Sequence, residues 1–124
     1  MSKLTTIEKI NFEKLFGMET GYVIDFSNRT FGEFILENVS IDIFQPKYAY
    51  MSGSKANRLR AFWSKEDNLL VGKLLLLLLE YWKLRKNLNN QLITLSENDL
   101  YEKCVVIAGN IFNNNPSKNS NHQG

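Results

Sequence analysis

The stretch Leu69-Leu70-Val71-Gly72-Lys73-Leu74-Leu75-Leu76-Leu77-Leu78-Leu79-Glu80-Tyr81-Trp82 decides the fold class. Its middle is six consecutive leucines with no polar face. Crossing a bilayer takes roughly 20 apolar residues, so this run is too short, and Lys73 sits inside it. It reads instead as the middle of a helix from about Lys65 to Lys86. Ser64 and Asp67 offer a cap-like spacing at its start, and Lys83, Arg85 and Lys86 complement the macrodipole at its end. A helix apolar on all sides is usually surrounded by others, so it is expected to be the central element.

Outward from it the chain reads as further helices. Downstream, Asn87 to Leu95 is a connection rich in Asn. Ser96 and Asp99 form another cap-like pair, and Leu100, Cys104, Ile107, Ala108 and Ile111 make the stripe of a helix over about Glu97 to Phe112. Asn113 to Gly124 offers nothing apolar to bury and reads as a disordered polar tail or linker. Upstream, Ser54 caps a helix over about Lys55 to Trp63, with Leu59, Phe62 and Trp63 inward. Thr30 and Glu33 form a capping-box pattern for a helix over about Phe31 to Asn38. Ile7, Ile10, Phe12, Leu15 and Phe16 form the stripe of a first helix over about Thr6 to Phe16, which Thr5 or Thr6 caps. Tyr22 to Phe26 and Ile41 to Phe44 have β character, and Pro46 argues against helix. The expected fold is mainly α: about five helices around the leucine-rich one, with at most a minor short β pairing. Residues 1–112 form the expected single helical domain and 113–124 the tail.

The 124 residues suit one core, and 44% apolar with 12% aromatic residues can fill it. The net charge of +2 is too small to indicate nucleic-acid or membrane binding without a local patch. A single cysteine, Cys104, rules out an internal disulfide and a Cys-rich zinc site. With no apolar h-region near Met1, the expected setting is the cytoplasm.

Catalytic machinery is not evident. The one histidine, His122, lies in the tail, away from any rigid scaffold. Cys104 falls on an apolar stripe, where free cysteines behave as small hydrophobes. The carboxylates are scattered, and Glu33 and Glu37 suit a solvated face better than a metal site. The expectation is therefore no enzyme, no cofactor and no metal.

The segment Ser52-Gly53-Ser54-Lys55-Ala56-Asn57-Arg58-Leu59-Arg60 is the richest in chemistry. A Gly-Ser-Lys turn opening a helix offers backbone N–H groups, hydroxyls and a cation together, the physics of an anion site. It is not a Walker loop, whose first glycine is missing. Gly53, Ser54, Lys55, Arg58 and Arg60 are the candidate anion- or partner-binding residues, with Lys65 beyond them. Tyr48 and Tyr50, near Lys47 and Lys55, are the candidate exposed aromatic contacts. The competing reading is a plain helix cap, with Arg58 and Arg60 paired to carboxylates such as Asp25, Glu33 or Asp42.

Three blocks also resemble a family: Leu15-Phe16-Gly17-Met18, then Gly21-Tyr22-Val23-Ile24-Asp25-Phe26-Ser27-Asn28-Arg29-Thr30-Phe31, then Gly53-Ser54-Lys55-Ala56-Asn57-Arg58-Leu59-Arg60-Ala61-Phe62-Trp63. They resemble the N-terminal region of bacterial abortive-infection-type proteins, over about Leu15 to Trp82. In that family such a region looks like a sensor or adaptor joined to a C-terminal effector, often a HEPN-like ribonuclease. The Arg–His signature of such ribonucleases is absent here. The resemblance implies a regulatory or recognition module of a phage-defence system, with an effector outside this chain as its protein partner. A nucleic-acid- or phosphate-binding module built on residues 53–65 is the alternative. Any strip of the leucine helix left uncovered would be a ready contact for a homo-oligomer.

Overall fold

The computed structural model describes residues 2–114, and these residues form five α-helices and no strand. The helices are α1 (Thr6–Leu15), α2 (Asn28–Val39), α3 (Lys55–Lys65), α4 (Asn68–Leu88) and α5 (Leu95–Asn113). Single 3-10 turns lie at Met18–Thr20 and Pro46–Tyr48. Of the expected tail 113–124, Asn113 is instead the last residue of α5 and Asn114 its C-cap, while residues 115–124, His122 among them, lie outside the described residues.

Each helix start is fixed by a side-chain cap. Thr5 and Glu8, Ser27 and Thr30, and Thr94 and Glu97 form reciprocal capping boxes, while Ser54 and Asp67 each accept one N–H from the first turn. The expected α3 cap is the observed one; three others move. Thr30 is not the cap of α2 but sits three residues inside it, and Glu33 instead pairs with Arg29 on the exposed face. Asp67 replaces Ser64, because α3 continues through Lys65 and only Glu66 breaks it with an extended backbone. Thr94 replaces Ser96.

The two segments of β character do not pair. Ile24 has φ 53°, a left-handed value incompatible with a strand, and its N–H bonds back to the Phe16 carbonyl at 2.8 Å. The Asp42 carboxylate accepts the Phe44 N–H at 2.9 Å, which closes a local turn where the second strand was expected. Both segments still contribute to the core: Val23, Phe26 and Ile43 are buried, and Phe26 stacks on Tyr81 of α4 with ring centroids 4.2 Å apart.

α4 and α5 form an antiparallel hairpin and the most extensive interhelical contact. Gly72 faces Phe112, Trp82 stacks on Tyr101, and Lys86 reaches Glu97, so partner numbers rise on α4 as they fall on α5. The turn is a Schellman motif: Asn90 has φ 55°, and the Gln91 and Asn90 N–H groups bond to the Lys86 and Asn87 carbonyls. α4 also packs on α2, and α1 packs on α5. One face of α4 is buried: Val71, Gly72, Leu74, Leu75, Leu78, Leu79 and Trp82. Leu76 and Leu77 are only half-buried, so two of the six leucines lie off that face. The helix is central but not covered on all sides. On α1 the inward residues are Phe12 and Leu15, with Phe16 just beyond; Ile7 and Ile10 face outward, against expectation. Ile10 is two residues from Phe12, which at 3.6 residues per turn turns it about 200° away.

Candidate functional site

α3 is the element on which the candidate site rests, and the structure brings most of the expected residues together at its start. Gly53 has φ 74°, which lets the chain turn sharply into the Ser54 cap. Ser54 Oγ accepts the Asn57 N–H at 3.2 Å, and the Ala56 N–H goes to the Gly21 carbonyl at 3.0 Å. The donors a bound anion would use are thus engaged within the fold.

The cations are engaged as well. Arg58 Nε donates to the Gly53 carbonyl at 3.1 Å, and its Nη1 to the carbonyls of Ile43 and Gln45 at 3.1 and 3.3 Å. Its guanidinium lies over the Phe44 ring, 5.1 Å from the centroid. The Lys55 side chain is buried; its Nζ donates to Asn28 Oδ1 at 3.3 Å and lies 4.7 Å from the centroid of the Tyr22 ring. Arg60 points away from Arg58. Its Nε pairs with Glu13 on α1 at 2.7 Å, and its Nη1 donates to Asn57 Oδ1 at 2.9 Å. Arg60 therefore ties down a carboxylate, but that carboxylate is Glu13, not Asp25, Glu33 or Asp42. Asp25 is held by Arg85 and Tyr81, and Glu33 by Arg29.

The two candidate tyrosines part ways. Tyr48 is 1% exposed, so it is not a surface aromatic. Its hydroxyl donates to Glu66, which also takes Lys47 Nζ at 2.8 Å. Burial, then the hydrogen bond to Glu66 and its charge, push the Tyr48 phenol well above its ordinary range. Burial pushes the Glu66 carboxyl up, but the bonds from Lys47 and Tyr48 outweigh that and hold it below its ordinary value. Tyr50, two residues on, is 48% exposed.

Tyr50 and Arg60 meet at a groove of about 450 Å³ between α1, α3 and the Ala49–Tyr50 segment. Lys9 and Glu13 of α1 form one side, Lys65 of α3 lies on the other, and Trp63 forms part of the lining. The Trp63 indole N–H is buried and has no acceptor among the described residues. Sequence reading missed Lys9, Glu13 and Trp63 here. The signal was weak: only the packing of α1 against α3 shows that a Lys–Glu pair one turn apart faces Arg60.

Elsewhere, Cys104 is fully buried within the core, and burial pushes its thiol up to about 12. Among the described residues no group of three or more His, Cys, Asp or Glu side chains could hold a metal ion, and no helix is long and apolar enough to cross a membrane. The far end of the α4–α5 hairpin carries four exposed leucines: Leu84, Leu88, Leu92 and Leu95. Leu92 and Leu95 are 90% and 87% exposed. No family model, curated protein or solved structure matches the chain.

Proposed function

We propose that the chain is a non-catalytic recognition module that works through protein contacts at the turn end of the α4–α5 hairpin. The observation that carries this reading is the set of four exposed leucines there. Single exposed leucines are ordinary, but several at the end of one hairpin resemble an interaction surface. Leu84 and Leu88 are one turn apart on α4, and Leu92 and Leu95 bracket the entry to α5. Of the neighbouring cations, Arg85 is engaged by Asp25 and Lys86 by Glu97, while Lys83 lies over the Tyr101 ring. That favours an apolar partner surface over a phosphate backbone.

The biological setting comes from the family resemblance: a bacterial phage-defence system in the cytoplasm, with an effector as the protein partner. The test is phage challenge of cells carrying the chain in its native gene setting, as wild type and as Leu92→Ser/Leu95→Ser. Both leucines are almost fully exposed, so the variant should keep its thermal midpoint. Loss of protection with an unchanged melt supports the reading. Unchanged protection removes the hairpin surface, and a wild type that protects against no phage in a broad panel removes the setting.

A further inference from the structure

We propose that the groove between α1 and α3 binds a phosphorylated nucleoside, with its phosphate at Lys9 and Lys65, its base on Tyr50 and its donor groups toward Glu13. The distribution of paired and unpaired charge points there. Arg29, Lys47, Arg60, Arg85 and Lys86 each have a carboxylate partner, and the Arg58 guanidinium is spent on backbone carbonyls. Among the described residues the ammonium groups of Lys3, Lys9, Lys14, Lys65, Lys73, Lys83 and Lys103 have no hydrogen-bond or ion-pair partner, and of these Lys9 and Lys65 line one groove. Two unpaired ammonium groups facing one concavity attract an anion.

The rest of the lining narrows the ligand class. Glu13 is on the same wall, and its Oε2 is held by Arg60 Nε at 2.7 Å. A carboxylate there disfavours a ligand that is anionic throughout and favours one with hydroxyl or amino donors beside its charge. The Tyr50 ring is half-exposed at the rim, a surface on which a base can stack. An anionic group, hydrogen-bond donors and a flat aromatic system together describe a phosphorylated nucleoside. The volume of about 450 Å³ falls within the range of about 300–1,000 Å³ for small-molecule sites. The chemistry is shared by a free nucleotide and by the phosphorylated end of a single strand of nucleic acid. This site shares no residue with the hairpin surface, so either can fail without the other.

The experiment is an NMR titration of the ¹⁵N-labelled chain, following backbone amides and the Trp63 indole. The probes are the four ribonucleoside 5′-monophosphates, the parent nucleosides, inorganic phosphate, and a mixed-sequence single-stranded oligonucleotide with a 5′-phosphate. At least one monophosphate or the oligonucleotide should give saturable shifts at Lys9, Tyr50, Ser64, Lys65 and the Trp63 indole. Nucleosides and inorganic phosphate should bind at least tenfold more weakly. Lys9→Ala and Lys65→Ala should each raise Kd at least threefold and together at least tenfold. Tyr50→Ala should weaken binding, and Tyr50→Phe should restore it. An oligonucleotide that binds tenfold more tightly than any monophosphate identifies a strand end as the source; equal or weaker binding identifies the free nucleotide. Absence of saturable shifts with all monophosphates and the oligonucleotide overturns the proposal. So do shifts that map away from the groove, affinities unchanged in folded lysine variants, or inorganic phosphate binding as tightly as a nucleotide.

Discussion

Replacing Gly72 by alanine tests the α4–α5 packing directly. A Cβ built on Gly72 would lie 2.7 Å from the Phe112 N, Cα and Cβ atoms. Comfortable contact between carbons is about 3.5–4.0 Å, so about 1 Å must be recovered. Two of the three obstructing atoms are backbone, and no rotamer change relieves them. The C-terminal turns of α5 would have to move off α4, loosening the seam that includes Ile111 and Ala108. Overpacking of this kind costs about 1–3 kcal/mol, and a backbone obstacle places it near the upper end. Alanine is favoured over glycine within a helix by about 1 kcal/mol, which offsets part of that cost. The expected net loss is about 1–2 kcal/mol. For a chain of this size that lowers the thermal midpoint by about 4–10 °C.

Gly109, on α5, supplies the matched control. It is also helical, and a Cβ there would meet nothing within 4 Å. Gly109→Ala should therefore stabilise the protein by up to about 1 kcal/mol through the same propensity gain. Thermal and urea melts followed by circular dichroism at 222 nm compare the two. If Gly72→Ala raises the midpoint as much as Gly109→Ala does, α4 and α5 do not approach at Gly72 and the hairpin geometry is wrong.

Within the leucine run, Leu75→Ala and Leu78→Ala should each cost about 2–5 kcal/mol, while Leu77→Ala, half-buried, should cost about 1 kcal/mol or less; urea midpoints that rank Leu77 with the others would refute the assigned face. Arg58→Ala should cost about 2–3 kcal/mol, because the Ile43 and Gly53 carbonyls lose the guanidinium donor and the Gln45 carbonyl keeps only the Tyr48 N–H, and Arg58→Lys should restore less than half, since one ammonium cannot reproduce the fork; a neutral Arg58→Ala would release the residue for a surface role. The Glu66 carboxyl is held below its ordinary value of 4.5 in the folded protein. Its contribution is therefore fully present above pH 4.5 and is lost as pH falls through the lowered folded value. Glu66→Gln should flatten the fall in urea midpoint between about pH 6 and about pH 3; an unchanged slope would show that the Lys47–Glu66 pair contributes nothing.

The helices were legible because apolar spacing survives any choice of cap. The stripe Leu100, Cys104, Ile107, Ala108 and Ile111 is the inward face of α5, and the Ser54 cap starts α3. Helix starts were less legible where two suitable capping residues lay within a few positions, as with Ser27 and Thr30, Ser64 and Asp67, or Thr94 and Ser96. Each is chemically able to cap. What chooses between them is where the preceding backbone is forced to extend, and that depends on contacts far along the chain. Gly72 gave no signal either, because a glycine inside a leucine-rich helix looks like a weak point until Phe112 is seen against it.

The segment from Ser52 to Arg60 shows why a site is harder to read than a fold. Its cations and turn stand out in the sequence, but their partners are the Ile43 and Gln45 carbonyls, Asn28 and Glu13, none of which lies nearby in the chain. Backbone carbonyls carry no sequence signal, so an arginine that binds three of them looks like one that is free. The consequence reaches the groove. The chain from Ile43 to Gly53 contains only one 3-10 turn, and so has few hydrogen bonds of its own. Arg58 holds this segment at Ile43, Gln45 and Gly53, and Tyr48 anchors its middle to Glu66. Tyr50 lies between those fixed points, its carbonyl accepts the Gly53 N–H at 2.9 Å, and its ring stands at the groove rim. The basic segment is thus a scaffold whose arginines position the loop and the α1–α3 contact, and the cations left without an ion pair at the groove are Lys9 and Lys65.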